Sequence, residues 1–398
     1  MLWSVVNIVA LYIVITAILS IISGGKEYKL GKTSLRFIVG GFIAKYGRGA
    51  YPSGRPLPNY VGIALIATLF IGIALFYVYL APRLASFIAK VVAAPTSVRT
   101  APLIPIPLVF TQPSIVLYFL VAIGLSVVVH EIAHAIVALR EGVAVRSWGI
   151  GIVLLVPIAF VELDEESFSR ASAFSKLKTL CAGIAANAGL ALVALAIAFA
   201  LSFIASSMNI HSLVMIERVD CSICSNTSCP AQVYGLKPGY FVLYVNGTPI
   251  NSFEDMSRIL RSSRLGSVLV FTLCRGDGVC FNRSVKLFSY RTINGLKIPC
   301  LGVELTLVPA KIVNGRPYTS PEVSLLIEIE RYLEATYVVS LSLFVLNAVP
   351  LVITDGSKAL RVALSSRPRA LMLLKAVEAL NIAMIVVGVV FSTYVLLR

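Results

Sequence analysis

Apolar residues in this chain gather into long runs instead of alternating or recurring at helical spacing. Six runs stand out, at about residues 2–23, 58–81, 113–139, 173–206, 334–355 and 371–396. A helix needs about 20 residues to cross a hydrocarbon core of about 30 Å, so each run predicts a transmembrane helix. The first run lacks a basic flank and is too long for the apolar core of a cleaved leader, so it reads as a retained span. Residues 210–320 form the one long polar stretch. Turn signals at residues 235–239 (GLKPG) and 245–249 (VNGTP) precede a helix over 253–264 and strands over 267–273 and 283–288. A small β-rich domain inserted between the fourth and fifth spans follows from that pattern. Residues 141–171 are apolar and rich in glycine and β-branched residues. They predict a short hairpin or re-entrant strand, tolerated at membrane depth only where protein covers its backbone. An ordinary surface hairpin fits the same residues, and an edge strand there could pair with an extended substrate.

Composition narrows the class. With 58% hydrophobic residues, 13% charged residues and a mean hydropathy of +0.89, the chain is no soluble globule. The fold class is a polytopic α-helical membrane protein of about six transmembrane helices. A net charge of +15 would ordinarily raise nucleic acid as a partner, but the basic residues sit between the apolar runs, so no nucleic acid is expected. Lys26, Lys29, Lys32, Arg36, Lys45, Arg48 and Arg55 share one loop with a single acid, Glu27, and mark that loop as cytoplasmic. The next two loops on that side also carry basic residues, Arg140, Arg146, Arg170, Lys176 and Lys178, then Lys358, Arg361, Arg367, Arg369 and Lys375. Residues 210–320 then lie outside. Six of the seven cysteines fall between Cys221 and Cys300, as suits disulfides in an oxidising compartment. Fifteen pairings are open to six cysteines, with a zinc knuckle from Cys221 and Cys224 as the competing use.

Chemistry enters at His130-Glu131-Ile132-Ala133-His134, inside the third apolar run. Positions four apart on a helix lie about 40° apart around its axis, so both imidazoles project from one face. They can share a zinc ion, and Glu131, about 100° round, can reach a water on it. Ionisable groups in a lipid span are expensive unless function or pairing compensates. A catalytic zinc also wants a third protein ligand. His211 is predicted on the opposite side of the membrane, whereas Asp355, the only acid between Glu334 and Glu378, sits where the fifth span reaches the cytoplasmic half and is the expected ligand. Pro350 would kink the fifth helix before it, and Gly356 would let the chain turn after it. The same residues also describe a helix-ending turn at the membrane surface. Asn187 is a lone amide among small residues of the fourth run. It reads either as an interhelical hydrogen bond or as a donor to a scissile carbonyl.

The ordered set His-Glu-x-x-His, Gly-x-x-x-Asn and Asn-x-x-Pro-x-x-x-x-Asp-Gly resembles the site-2 protease family of intramembrane zinc metalloproteases. The polar insertion resembles that family's PDZ domain. This resemblance implies one Zn2+ per chain held by His130, His134 and Asp355, with Glu131 as general base and Asn187 as the polar residue of the core helix. It implies that Asn347 and Pro350 lie near the substrate channel. It also implies transmembrane-helix protein substrates, cut after a first extracytoplasmic cleavage, and a peptide C-terminus as a ligand of the PDZ-like domain, with Leu301-Gly302-Val303 as its candidate loop. The chain departs from the family pattern at Ala348, where proline is common, at Ser357, where glycine is common, and at Tyr240, where aspartate is usual.

The expected organisation is an N-terminal pair of transmembrane helices over 1–112, core helices with the zinc motif over 113–209, the extracytoplasmic PDZ-like domain over 210–320 and C-terminal helices over 321–398. An integral protein of the cell membrane with its active site toward the cytoplasm follows, with the lipid bilayer as its solvent. A catalytically lapsed scaffold that holds clients through the PDZ-like domain is the alternative of another class. A zinc or proton transporter is a third reading, weakened by the absence of a visible repeat between the two halves.

Overall fold

A computed structural model of the chain describes residues 2–24, 26–47, 49–93, 113–224, 228–293 and 296–397. It divides into two compact units, Met1–Ala196 with Tyr332–Arg398, and Ile197–Arg331.

The first unit is built from long apolar helices. After α1 (Leu2–Ile22), α2 (Asn59–Leu75) passes through a π-helical turn at Phe76–Leu80 into α3 (Ala81–Ala93). Helix α4 spans Pro113–Arg140 and α6 spans Ala173–Ser207, separated in sequence by the short α5 (Glu165–Arg170). Helices α9 (Pro321–Ala348), α10 (Asp355–Ala363) and α11 (Pro368–Leu397) complete it. Among the described residues, four helical stretches are long and apolar enough to cross a membrane: Asn59–Ala93, Val116–Arg140, Ala173–Ser207 and Pro368–Val395. The chain is therefore an integral membrane protein. The count of six spans is not reproduced: α1 and α9 cover the first and fifth expected runs, but the first half of α9 carries Glu328, Glu330 and Arg331.

The fifth run does not continue as one kinked helix to residue 355. Helix α9 stops at Ala348 and residues 349–354 are non-helical. Pro350 has no N–H to continue the ladder. Thr354 then starts α10 by accepting the N–H of Ser357 while donating its hydroxyl to the Val349 carbonyl at 2.7 Å.

The basic loop between the first two spans is also more ordered than its charge suggests. Strands β1 (Tyr28–Leu30), β2 (Thr33–Ile38) and β3 (Gly41–Tyr46) join β4 (Val145–Val153) and β5 (Val156–Leu163) in an antiparallel sheet of order β1-β2-β3-β4-β5. The Lys and Arg content of residues 26–55 masks two short alternating runs. Gly40, at φ 82°, makes the β2–β3 turn. The hairpin expected within 141–171 is β4–β5, paired from Val145↔Leu163 to Val153↔Val156. Its turn holds Leu154 and Leu155 at positive φ, as a two-residue type I′ connection requires. Strand β5 is the edge of the sheet, and it lies along α4.

The second unit is β-rich, as expected. Its main sheet runs β10-β9-β7-β6-β13-β14, with β6 at Ile210–Val219, β7 at Phe241–Val245, β9 at Val268–Cys274, β10 at Cys280–Lys286, β13 at Val303–Val313 and β14 at Arg316–Tyr318. A two-residue strand β8 (Thr248–Pro249) pairs with β7, and β11 (Ser289–Ile293) pairs with β12 (Leu296–Cys300). Helices α7 (Pro230–Val233) and α8 (Phe253–Ser262) complete the unit, α8 started by a Ser252/Asp255 capping box. Phe271, Leu273, Val285 and Leu287 anchor the core. Three disulfides close it: Cys221–Cys229, Cys224–Cys300 and Cys274–Cys280. Cys221 and Cys224 thus sit in different disulfides, and the zinc knuckle is excluded. Leu301 and Gly302 are buried, their carbonyls accepting from Ala231 and Asp220.

Candidate metal centre

Helical spacing puts His130 and His134 one turn apart on α4, and their rings meet edge to face with centroids 4.6 Å apart. Asp355, the first residue of α10, comes to the same point from more than 200 positions along the chain. Its Oδ2 lies 2.9 Å from His130 Nε2 and 3.1 Å from His134 Nε2, and the two Nε2 atoms are 3.0 Å apart. All three side chains are buried.

This donor set fits a zinc ion. Zinc holds tetrahedral ligands at about 2.0–2.1 Å, which spaces neighbouring donors about 3.3 Å apart. The observed triangle needs to open by only a few tenths of an ångström. Three mutually close heteroatoms cannot all be satisfied by hydrogen bonds between themselves, whereas a cation satisfies the set. The outer faces of the rings agree. His134 Nδ1 lies 2.7 Å from the Thr179 carbonyl, so it carries the proton and leaves Nε2 with its lone pair. His130 Nδ1 lies 3.0 Å from the Asn187 side-chain amide.

Two glycines make room for this geometry. A Cβ on Gly183 of α6 would stand 2.4 Å from His134 Nε2 and 2.6 Å from His130 Nε2. A Cβ on Gly356 would stand 2.1 Å from the Ala348 carbonyl oxygen, so glycine lets the start of α10 press onto the end of α9. Helix α10 is pinned from its other face: Ser357 and Arg361 both donate to the buried carboxylate of Glu378 on α11. Lys358 Nζ donates to the second Asp355 oxygen at 3.3 Å. Beyond the break, Asn381 donates to the Pro350 carbonyl at 3.1 Å and pairs with Tyr77 from the π-helical turn. Below α4, Glu141 and Lys178 form a buried pair at 2.9 Å, shared with the backbone of Leu57 and the hydroxyl of Ser175.

A cavity of about 210 Å³ opens beside the triad, lined by Val127, His130, Glu131, Asn187, Leu343, Asn347, Ile353, Asp355 and Lys358. Val127, Leu343 and Ile353 are its apolar lining, and the other six residues are polar or charged. Glu131 accepts the backbone N–H of Val161 on β5 at 2.9 Å, which ties the sheet edge to the carboxylate. The structure therefore brings together six of the seven residues singled out from sequence: His130, Glu131, His134, Asn187, Asn347 and Asp355. Pro350 is buried outside the cavity lining, in the break before α10. Val161, Lys358 and Asn381 carried no chemical signal of their own. Gly183 did, since it stands four residues before Asn187 and hence on the same helix face.

Helices α4, α6, α9 and α10 contribute the triad, Glu131, Asn187, Asn347 and Lys358, all of them within residues 118–391. That stretch matches the family model for peptidase family M50, and the match covers more than half of the chain. With a buried His-His-Asp set beside a glutamate and apolar helices around it, the chain belongs to peptidase family M50, the site-2 protease family of membrane metalloproteases.

Proposed function

We propose that the chain is an intramembrane zinc endopeptidase that cleaves transmembrane helices of membrane-anchored proteins. One observation carries this reading above the rest: His130, His134 and Asp355 converge within 3.1 Å of one another beside the cavity that Glu131 lines. A metal-binding role alone has no use for that glutamate.

Zinc bound by the triad would supply Lewis acidity, activating a water and polarising a peptide carbonyl. Glu131 takes the proton from the attacking water and delivers it to the departing amine. The N–H of Val161 holds the carboxylate in place meanwhile. The Asn187 and Asn347 amides at the cavity wall donate to the developing oxyanion. Lys358 offsets the charge of Asp355.

A substrate helix must unwind to present a peptide bond, and lipid cannot satisfy the backbone groups this frees. Strand β5 offers partners on its free edge, so the unwound segment would add as a further strand. Helix-breaking residues in the substrate favour that step. Loop charges support a cytoplasmic orientation for the site, with water entering from that side. The disulfide-bonded β-rich unit then faces outward, in the cell membrane's oxidising exterior. There it acts as a PDZ-like module, filtering substrates by size or binding the C-terminus left by a first cut.

The test uses the purified full chain in detergent with a model transmembrane peptide, comparing wild type and Glu131→Gln. Bound zinc at about one per chain in both forms, with cleavage only by wild type, is the expected result. Equal cleavage by both forms overturns the mechanism, and zinc binding without cleavage by either favours the scaffold.

A further inference from the structure

Among the described residues of the site, Asn187 holds the one buried side-chain polar atom without a hydrogen-bond partner. Its Nδ2 lies 3.0 Å from His130 Nδ1, while its Oδ1 is buried and has no partner among the described residues. Buried amide oxygens are rarely left so, because an orphan has lost its water without gaining a protein partner. The side chain is buried on α6 at the wall of the cavity.

The two histidines differ in a way that explains the orphan. His134 gives its Nδ1 proton to the Thr179 carbonyl, a fixed backbone acceptor, and its Nε2 lone pair is committed to the centre. His130 faces an amide instead. With Nδ2 as donor, His130 Nδ1 accepts, the ring proton sits on Nε2, and Nε2–H points to Asp355 Oδ2 at 2.9 Å. In that tautomer Nε2 has no lone pair for a metal. A metal ligand needs the proton on Nδ1, with an acceptor to receive it. A half turn of the Asn187 amide exchanges two atoms of nearly equal size and puts Oδ1 where that acceptor must be. The same turn gives the oxygen its hydrogen bond and moves Nδ2 to the position the oxygen held.

We propose that Asn187 is a positioning residue for His130: its side-chain carbonyl accepts the Nδ1–H and selects the tautomer whose Nε2 faces the metal. Zinc affinity therefore depends on an oxygen at position 187. A residue with no role beyond packing or donation to substrate would leave zinc affinity unchanged. This inference rests on the zinc-site reading above and adds to it a residue that touches neither metal nor substrate through this bond.

Zinc binding by the purified full chain tests it, measured by competition with a chromogenic chelator, with Co2+ absorption as a second signature of ligand geometry. Loss of partners of metal-ligating histidines typically weakens binding by about 10–100-fold. Asn187→Leu, and Asn187→Ala should the leucine fail to fold, are expected to weaken zinc by that range and to change the Co2+ spectrum. Asn187→Asp keeps an acceptor oxygen and is expected to bind zinc within about threefold of wild type. Leucine and alanine variants that bind zinc as tightly as wild type overturn the proposal, as does an aspartate variant as weak as they are. Wild type that binds no zinc removes instead the metal-site reading on which the proposal stands.

Discussion

Substituting Gly183 by alanine places one methyl group against both imidazoles of the site. From the backbone of α6, that methyl carbon would sit 2.4 Å from His134 Nε2, 2.5 Å from His130 Cε1 and 2.6 Å from His130 Nε2, where ordinary contact begins at 3.4 Å. Either the rings or the helices must retreat by roughly 1 Å, against a tolerance of about 0.2 Å in metal–ligand distances. The rings cannot rotate freely, because the Thr179 carbonyl and the Asn187 amide hold their far sides. Overpacking of this kind costs about 1–3 kcal/mol in stability. Loss of one zinc ligand should cost more than about 2.7 kcal/mol of metal binding, a hundredfold. Gly189→Ala is the control, since its added methyl meets nothing within 4 Å on the same helix. Zinc affinity measured by chelator competition, with thermal melting of the metal-free chain alongside, is expected to fall at least a hundredfold for Gly183→Ala and to stay at the wild-type value for Gly189→Ala. A Gly183→Ala chain that melts like wild type and binds zinc equally well would refute the packing argument.

The Glu141–Lys178 pair is buried on both sides, so Glu141→Ala leaves an unpaired ammonium and should cost about 3–5 kcal/mol, read as a lower melting temperature. Adding Lys178→Met to that variant is expected to recover much of the loss, and no recovery would count against burial as its cause. Lys45 and the Ser147 hydroxyl hold the Glu162 carboxyl below its ordinary value. A depressed folded value stabilises above the unfolded carboxylate range near about 4.3 and is lost as pH falls through the lower folded value. Lys45→Met should therefore lower stability at pH 7, by no more than about 1 kcal/mol for so exposed a pair, read as a lower melting temperature, and the difference from wild type should shrink below about pH 4. A difference that grows on acidification would contradict the assignment.

Much of the site could be read from residue order. Two histidines and a glutamate in a lipid-length run have few bland uses, and Asp355 was the only acid between Glu334 and Glu378, around the end of the fifth run. Residue order did not tell how Asp355 arrives. A proline at 350 allows a kink as easily as a stop, and the stop depends on Thr354 and on Ala348 meeting Gly356, contacts that have no local signature. The three strands within residues 28–46 were hidden because lysines and arginines dilute their alternation, and they become a sheet only by pairing with β4. Cysteine positions gave the presence of disulfides but not their partners, which the folding of residues 221–300 decides. Asn187 was legible as a polar intrusion, yet its contact with His130 depends on the crossing of α4 and α6, a property of two helices that neither encodes alone.

The central claim is that a carboxylate from α10 completes a metal site begun on α4. Zinc per chain, measured on the full protein purified without added metal and again after loading and dialysis, tests this directly in wild type and Asp355→Ala. The account predicts about one zinc per wild-type chain and loss of retained zinc in Asp355→Ala, with the variant still folded by thermal melting. Asp355→Ala that keeps one zinc per chain as firmly as wild type would contradict it.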